Sequence, residues 1–355
     1  MMQSRTKRTL TTILAASSAA VLTSSLLALG PALGPAQASN PSEAADTSAT
    51  VKPIPSAGCG TEQTPGNDER TITSAGQERT YRINIPRDYE ASTPLPLVIG
   101  FHGNGSDGAE FQNYTGLPTL PAITIFPDGA LKDGKRSWQG APYASGADDV
   151  RFVSDLLDSI EDEHCIDLSR VYATGKSNGG GFVSVLACNL RERFSAFGIV
   201  AGAYYPQSTQ GCDYTEPTQG CDYTEPTPML AIHGTGDATM DYDGGERQGE
   251  TYPGVREWIE PWVEASNCTV KTERDIGKKG EHVLRTSWKK CSSGTSKQDA
   301  KGSRTGDVEL YSVTDGGHVW PGEVVYSGGG YVTKNFSATD TLWEFFKKHP
   351  GPTSR

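Results

Sequence analysis

Ser177 is the residue whose surroundings are best suited to nucleophilic chemistry. Residues 175–179 read Gly-Lys-Ser-Asn-Gly, with a glycine two positions before the serine and another two positions after it. The run 170–174 is typical of a buried strand, and the small and apolar residues of 179–188 indicate a helix. A serine at a sharp turn between a strand and a helix has a strained backbone, so its neighbours must be nearly free of side chains. The pattern predicts that Ser177 is a nucleophile held clear of a sheet.

A serine nucleophile needs a base, and in this strand–serine–helix arrangement the chain order is serine, acid, histidine. The sequence has six histidines. His318 follows a predicted last strand at 308–313, in a loop shaped by glycines and a proline. Such a loop can hold a catalytic side chain at the end of a strand. The other histidines precede the serine or lie at a strand end, in a polar segment or in the closing helix, so we expect His318 to be the base.

Asp237 is the best candidate for the acid that orients this base. It follows the predicted strand 229–233 directly, so it should lie at the carboxyl edge of the sheet, where sites form. Its role would be to hold the histidine in one tautomer and to stabilise the imidazolium. Asp241 and Asp243 are competing candidates, and Glu246 is a weaker one.

Two further groups are expected around the nucleophile. Residues 101–108 form a glycine-rich turn after a predicted strand, the position where a second oxyanion donor is expected. We assign the oxyanion hole to the backbone N–H groups of Asn104 and Asn178. Trp138 and Trp320, which lies close to the candidate base, could line an acyl or aromatic pocket, although a tryptophan more often packs in a core.

The elements that must position these residues alternate between strand and helix. The predicted strands are 80–85, 95–101, 122–126, 170–174, 197–201, 229–233 and 308–313. The predicted helices are 148–164, 179–188, 255–265 with a kink at Pro261, and 336–348. Short apolar strands interleaved with helices predict an α/β fold, in which a mostly parallel sheet is covered by helices on both faces.

The first residues of the chain have the pattern of a targeting segment. Basic residues at 5–8, an apolar stretch at 10–33 and Ala-Gln-Ala at 36–38 predict a signal peptide over residues 1–38. Residues 39–57 are rich in Ser, Ala, Pro and Thr, which predicts a flexible leader. The remaining 58–350 suits one large domain. We therefore expect a secreted, extracellular protein.

Charge and hydropathy argue against two classes of partner. The formal net charge is −11, and it becomes −14 without the three basic residues of the predicted signal peptide. An acidic protein of this kind is a poor candidate for binding nucleic acid. The apolar stretch near the start is diluted by polar and small residues, and no other segment approaches spanning length, so we expect no membrane span.

Seven cysteines suggest disulfides, and a tandem copy explains the odd number. Residues 210–218 are repeated without a gap as 219–227, so either Cys212 or Cys221 would be a spare thiol. Cys268 and Cys291 flank a polar, hairpin-like segment and are our expected pair; the other pairings stay open. Possible glycosylation sequons begin at Asn113, Asn267 and Asn335, and at Asn104, where a glycan would block the predicted site.

Several motifs together resemble the secreted feruloyl esterases, which are grouped with the polyhydroxyalkanoate-depolymerase-like enzymes and carbohydrate esterase family one. The similarity covers about residues 57 to 349, and the tandem copy departs from it. The motifs are Gly-Cys-Gly at 58–60, Phe-His-Gly at 101–103, Asp-Asp-Val at 148–150, the run 170–182, His-Gly-Thr-Gly-Asp at 233–237 and Gly-Gly-His-Val-Trp-Pro-Gly at 316–322.

This resemblance implies an α/β-hydrolase fold and hydrolysis of feruloyl, or hydroxycinnamoyl, esters on plant cell-wall arabinoxylan through an acyl-enzyme. It implies Ser177 as nucleophile, Asp237 as acid, His318 as base and an oxyanion donor in the turn 102–104. It implies no metal or organic cofactor. The expected partner is a feruloylated or acetylated plant polysaccharide, and the expected state is a monomer.

Two alternatives remain open. The same triad could serve an acetylxylan esterase or a polyhydroxybutyrate depolymerase; a polyester depolymerase needs an exposed apolar patch, of which the sequence gives no sign. A protein that keeps the fold but only binds its ligand is a different class, because a fold alone does not establish activity.

Overall fold

The computed structural model of the chain describes residues 52–209, 226–291 and 306–351. The predicted signal peptide, the predicted leader up to residue 51, and Cys212 and Cys221 of the tandem copy lie outside these ranges. None of the helices within them is long and apolar enough to cross a membrane.

A ten-stranded sheet is the centre of the fold. In chain order the strands are β1 Gly66–Ser74, β2 Gln77–Ile85, β3 Leu95–Phe101, β4 Ile123–Pro127, β5 Ala130–Lys132, β6 Lys135–Ser137, β7 Ile166–Lys176, β8 Ala196–Val200, β9 Met229–Gly234, β10 Gly244–Arg247, β11 Glu250–Pro253, β12 Val270–Asp275, β13 Val283–Lys289 and β14 Val308–Val313. The sheet has the order β1-β2-β4-β3-β7-β8-β9-β14-β13-β12, and β5–β6 and β10–β11 form separate hairpins.

The middle of the sheet is parallel and its two edges are antiparallel. The strands β4, β3, β7, β8, β9 and β14 pair in parallel. The pairs β1–β2, β2–β4, β14–β13 and β13–β12 are antiparallel. Sequence patterns predicted the parallel strands and β2. No strand was predicted at β1, because it is mostly exposed and lacks an apolar run. The pair β12–β13 lies within the segment 268–291, which the sequence indicated only as hairpin-like.

Helices cover both faces of the sheet. They are α1 Gly108–Thr115, α2 Asp149–Glu163, α3 Asn178–Asn189, α4 Pro206–Thr209, α5 Val255–Ala265 and α6 Ala338–Lys348. The side chains of Asp148 and Ser337 cap the N-termini of α2 and α6. Pro261 lies inside α5, as predicted.

The two faces of the sheet form two separate hydrophobic cores. Along β3, Leu97 and Ile99 belong to one core, and Val98 between them belongs to the other. Side chains of α2, α3 and α5 fill the first core, and those of α1 and α6 fill the second. The prediction of a mostly parallel sheet covered on both faces is confirmed, and this is the α/β-hydrolase fold.

The end of the predicted leader belongs to the folded part of the chain. The backbone N–H of Ile54 donates to Asp167 Oδ1 at 3.0 Å, and the N–H of Leu168 donates to the carbonyl of Ile54 at 2.8 Å. The hydroxyl of Ser56 donates to the carbonyl of His164 at 2.6 Å. A boundary at residue 57 is therefore too late, since residues 54–56 are fixed by partners more than a hundred positions away in the sequence.

Disulfides tie the chain at two places in the described ranges. Cys268 and Cys291 are bonded, which confirms the predicted pair. Cys59 is bonded to Cys165 and so joins the N-terminal segment to the start of β7. Cys188, on α3, is also disulfide-bonded.

Candidate active site

Ser177 lies at the turn between β7 and α3. Its backbone has φ 56° and ψ −121°, a conformation that costs a non-glycine residue about 1–3 kcal/mol. The neighbouring strand holds it there: the Ser177 N–H donates to the carbonyl of Val200 at 3.1 Å. Its own carbonyl accepts from the N–H groups of Gly181 and Ala203, both at 2.9 Å. The local sequence therefore folds into the strained turn that the glycine spacing predicted.

The two glycines around the serine are required by close backbone contacts. A Cβ at Gly175 would lie 2.5 Å from the carbonyl carbon of Gly179. A Cβ at Gly179 would lie 2.2 Å from the carbonyl oxygen of Phe101, at the end of β3. Side chains at these positions would force β3, β7 and α3 apart, so the turn can close only with glycine there.

His318 and Asp237 form a hydrogen-bonded pair. The distance from His318 Nδ1 to Asp237 Oδ2 is 2.7 Å, and both side chains are buried. The other carboxylate oxygen accepts the backbone N–H groups of Thr239 and Met240, each at 2.8 Å. Because Nδ1 faces a carboxylate, it carries the proton, and Nε2 is the nitrogen left to accept one.

Burial and hydrogen bonding set the charge of this pair. Burial lowers the pKa of His318 below its ordinary value and outweighs the hydrogen bond to Asp237, which raises it. Burial would raise the pKa of Asp237, but hydrogen bonds from His233 and His318 outweigh it and hold that pKa well below its ordinary value. At neutral pH the carboxylate is therefore ionised and His318 is neutral, as a general base must be.

His233 is a second histidine on the same carboxylate, and sequence reasoning did not assign it this contact. Its Nε2 lies 3.2 Å from Asp237 Oδ2 and 2.9 Å from the carbonyl oxygen of Met240. Both are acceptors, so Nε2 carries the proton. Within the described ranges its buried Nδ1 has no hydrogen-bond partner. The available signal was the spacing of four residues between His233 and Asp237 at the end of β9.

Ser177 and His318 line the same cavity of about 250 Å³. Its other walls include Asn104, Ser106, Tyr114, Lys176 and Ser327. Together with the carboxylate of Glu110, ammonium, amide and hydroxyl groups thus surround the two predicted reacting residues. A second cavity, of about 410 Å³, is lined by β2 and the β5–β6 hairpin and contains none of the predicted site residues.

Lys176, next to the serine in sequence, is a cavity residue that the sequence did not single out. Its ammonium donates to Ser327 Oγ at 3.2 Å and lies 5.3 Å from the centre of the Tyr114 ring. The hydroxyl of Ser327 in turn donates to Glu323 at 2.7 Å. Burial lowers the pKa of Lys176. The ammonium is thus fixed at the wall of the cavity.

The two residues predicted for the oxyanion hole lie close to the serine. Asn178 is the first residue of α3, and its side chain bonds both the N–H and the carbonyl of Trp138, at 2.7 and 3.1 Å. Asn104 lines the cavity, and a Cβ on the preceding Gly103 would lie 3.4 Å from that of Ser177. The 102–104 turn therefore passes directly beside the serine.

His102 holds this turn in place through hydrogen bonds of its ring. Its Nε2 accepts the backbone N–H of Gly129 at 2.9 Å, so its Nδ1 carries the proton and donates to the carbonyl of Gly103 at 2.7 Å. Burial lowers the pKa of His102, which keeps the ring neutral. Its place in the structure is a support for the turn that carries Asn104.

The prediction that Trp138 and Trp320 line a substrate pocket is wrong. Both side chains are fully buried. Trp138 packs on Phe182 and donates its indole N–H to the carbonyl of His102 at 3.0 Å, and Trp320 donates to Thr339 Oγ1 at 3.0 Å. A large aromatic ring whose N–H finds an internal acceptor is stable in the core, and proximity in sequence to a site residue does not expose it.

Of the acidic candidates, Asp237 is the residue that is hydrogen-bonded to His318. Asp241 is exposed, and its carboxylate accepts the backbone N–H of Asp243 at 3.0 Å. Glu246 lies in the β10–β11 hairpin. All three competitors are exposed, whereas the carboxylate bonded to His318 is the buried Asp237.

Comparisons with known proteins also point to an ester hydrolase. No protein-family model matches the chain. The chain is 31% identical over 208 residues to the probable feruloyl esterase C of Aspergillus niger, which covers 56% of this chain and 68% of that protein. It is 27% identical over 303 residues to feruloyl esterase C of Emericella nidulans, covering 82% of this chain and 90% of that protein.

Among solved structures, acetyl xylan esterase from Aspergillus awamori aligns with a TM-score of 0.49 at 14% identity, over 79% of this chain and 99% of that one. The similarity to the A. niger relative, at 31% identity, extends over more than two thirds of that protein's length. The chain belongs to the feruloyl esterase C family of carboxylic-ester hydrolases.

Proposed function

We propose that the protein is a secreted serine esterase that releases ferulic or a related hydroxycinnamic acid from plant cell-wall arabinoxylan. The observation that carries the proposal is the buried His318–Asp237 pair, which shares one cavity with a serine on a strained strand–helix turn. The names of the relatives support the feruloyl acyl group. The predicted signal peptide and the disulfides support an oxidising, extracellular location.

Acylation would use the groups in this order. Ser177 Oγ attacks the ester carbonyl and passes its proton to His318 Nε2. Asp237 holds the imidazolium in place while charge develops on the carbonyl oxygen. The backbone N–H groups of Asn104 and Asn178 donate to that oxygen; losing one such donor costs about 3 kcal/mol in other hydrolases. The tetrahedral intermediate then collapses: the ester C–O bond breaks, and His318 gives its proton to the departing sugar oxygen, which leaves as a hydroxyl.

Deacylation would repeat the same steps with water. His318 takes a proton from the water, whose oxygen attacks the acyl carbon, and the proton returns to Ser177 Oγ as the acid leaves. Every proton transfer in both halves uses His318, so one base serves both steps.

Replacing Ser177 by alanine tests this function. We expect the variant to lose at least about 10⁴-fold in kcat on methyl ferulate while it keeps its fold, because the acyl-enzyme cannot form. Hydrolysis should be measured with methyl ferulate beside 4-nitrophenyl acetate. Undiminished turnover in the variant would overturn the mechanism, and release of acetate but not ferulate by the wild type would move the substrate to an acetylated polymer or a polyester.

Ser184→Ala is the matched control. Ser184 lies on α3, its hydroxyl is buried, and within the described ranges that hydroxyl has no hydrogen-bond partner. Its removal should leave both activities within about twofold of the wild type, since no hydrogen bond is lost.

A further inference from the structure

Exposed apolar side chains are concentrated on one loop. Val324 is 69% exposed, Val325 58%, Tyr326 64% and Tyr331 48%. Within the described ranges only Leu131, at 63%, is a comparably exposed large apolar residue outside this loop. We name residues 323–331 the rim loop. A cluster of exposed apolar side chains, as opposed to scattered single ones, marks a surface that contacts something.

The rim loop is attached directly to the predicted catalytic base. The backbone N–H of His318 donates to the carbonyl of Gly329 at 2.6 Å, and that of Gly317 donates to the carbonyl of Tyr331 at 3.0 Å. Ser327, in the middle of the loop, lines the cavity that contains Ser177. The apolar surface and the cavity therefore adjoin.

Hydrogen bonds hold the loop in shape. The buried carboxylate of Glu323 accepts both the N–H and the hydroxyl of Ser327, at 2.9 and 2.7 Å. The hydroxyl of Tyr326 donates to the carbonyl of Gly330 at 3.2 Å. The Tyr326 ring is thus fixed at its polar end while its faces stay in water, so little side-chain entropy remains to be lost when a ligand covers it.

We propose that the rim loop is a docking surface for the polysaccharide chain that carries the ester, an inference that rests on the proposed function. An acyl group that reaches Ser177 is attached to a polymer, and the rest of this polymer must extend out of the cavity across its rim. Sugar rings present apolar C–H faces with polar edges, and a tyrosine ring offers an apolar face with a polar tip. The loop binds the polymer and leaves the chemistry to the cavity.

The test compares a polymer with a small ester. The variants are the double substitution Val324→Ser with Val325→Ser, and the single substitution Val325→Ser, neither of which removes a hydrogen bond that shapes the loop. We expect kcat/KM on feruloylated arabinoxylan to fall about five- to tenfold, through a higher KM, because apolar contact area is lost. Activity on methyl ferulate should stay within about twofold, since that ester does not extend to the rim. Leu131→Ser, equally exposed but on the β5–β6 hairpin, is the matched control and should change neither activity.

Binding without turnover separates this inference from the proposed function. In the Ser177→Ala background, the rim-loop variants should bind less to insoluble arabinoxylan than Ser177→Ala alone. If the wild type does not cleave methyl ferulate, the proposed function fails, but this binding comparison still decides the role of the loop. Unchanged binding and unchanged polymer kinetics in both variants would overturn the inference.

Three other outcomes would also overturn it. An equal loss on arabinoxylan and on methyl ferulate would show that the loop serves only to shape the cavity. A loss of binding to polyhydroxybutyrate film but not to arabinoxylan would assign the surface to a polyester. A wild-type dimer that becomes a monomer on rim-loop substitution, in sedimentation measurements, would assign it to a second copy of the chain.

Discussion

At the scale of single residues, the carboxylate of Asp237 is the point on which the site depends. It accepts two backbone N–H groups on one oxygen and contacts two histidines with the other. A carboxylate satisfied on every side has a fixed plane, and that plane sets the direction in which the His318 ring points. We expect His233 to act as a positioning residue, because it touches the acid and not the reacting atoms.

Replacing His233 tests that role. His233→Phe should lower kcat on methyl ferulate roughly ten- to a hundredfold with little change in KM, since a hydrogen bond to a charged group is worth about 1.5–3 kcal/mol. His233→Gln should recover most of the loss, because the glutamine Nε2 can donate from nearly the same position. Both constants should be measured across pH, together with the unfolding midpoint in urea. A phenylalanine variant as active as the wild type, or a glutamine variant as impaired as phenylalanine, would contradict the assignment.

The sequence was sufficient to nominate Ser177, Asp237 and His318, because chain order and the ends of strands are visible in it. It could not assign His233 a contact with Asp237, since that depends on ring orientation. It misplaced Trp138 and Trp320, because burial of a side chain beside a motif is decided by packing that the motif does not encode. Lys176 was overlooked for the same reason: a lysine in sequence carries no sign of a cavity wall.

At the scale of elements, the turn that carries Ser177 depends on how β7 and α3 pack against the end of β3. Three backbones approach there so closely that a methyl group has no room. The strain at Ser177 is maintained by this packing, because the turn would relax if α3 moved away from β3.

A methyl group at Gly179 should break this junction. The added Cβ meets the carbonyl oxygen of Phe101 at 2.2 Å, so Gly179→Ala should destabilise the fold by roughly 3 kcal/mol and abolish most activity. Gly180→Ala is the milder comparison, because its added Cβ would meet a methyl group of Ile199 at 2.9 Å and no backbone atom closer than 3.1 Å. Urea unfolding of both variants checks the order of the two losses. Equal losses would show that the backbone contact is not decisive.

Buried strands could be predicted from the sequence, and exposed strands could not. The central parallel strands are continuous apolar runs, so the sequence identified them. At the edges, β1 and β12 are mostly exposed, and it is pairing with β2 and β13 that makes them strands. Each is an edge strand that pairs only with the strand following it in sequence, so its side chains stay exposed and leave no periodic apolar pattern.

At the scale of the whole molecule, long-range links hold the N-terminal segment to the sheet. Cys59 and Cys165 are separated by 106 residues, whereas Cys268 and Cys291 are separated by 23. In the chain-entropy account, a longer closed loop removes more freedom from the unfolded chain. The segment 54–56 was assigned to a leader because its composition resembles a linker; its order comes from partners that composition does not reveal.

Removing each disulfide should therefore cost different amounts. Cys59→Ser with Cys165→Ser should lower the free energy of unfolding by about 5 kcal/mol, and Cys268→Ser with Cys291→Ser by about 3 kcal/mol. Urea denaturation of the two double variants, without reductant, measures both values. The reverse order would show that native packing around Cys268–Cys291, and not loop length, governs the loss.

The Cys59–Cys165 bond also bears on how the chain is made. Ile54 meets its partner Asp167 only after 113 more residues have been synthesised, roughly 6 to 23 s at ordinary rates of translation. During that interval no other cysteine is produced, because none lies between positions 59 and 165. The first two thiols to emerge are thus native partners, and so are the last two, Cys268 and Cys291. Oxidation in the order of synthesis therefore gives the Cys59–Cys165 pair without reshuffling.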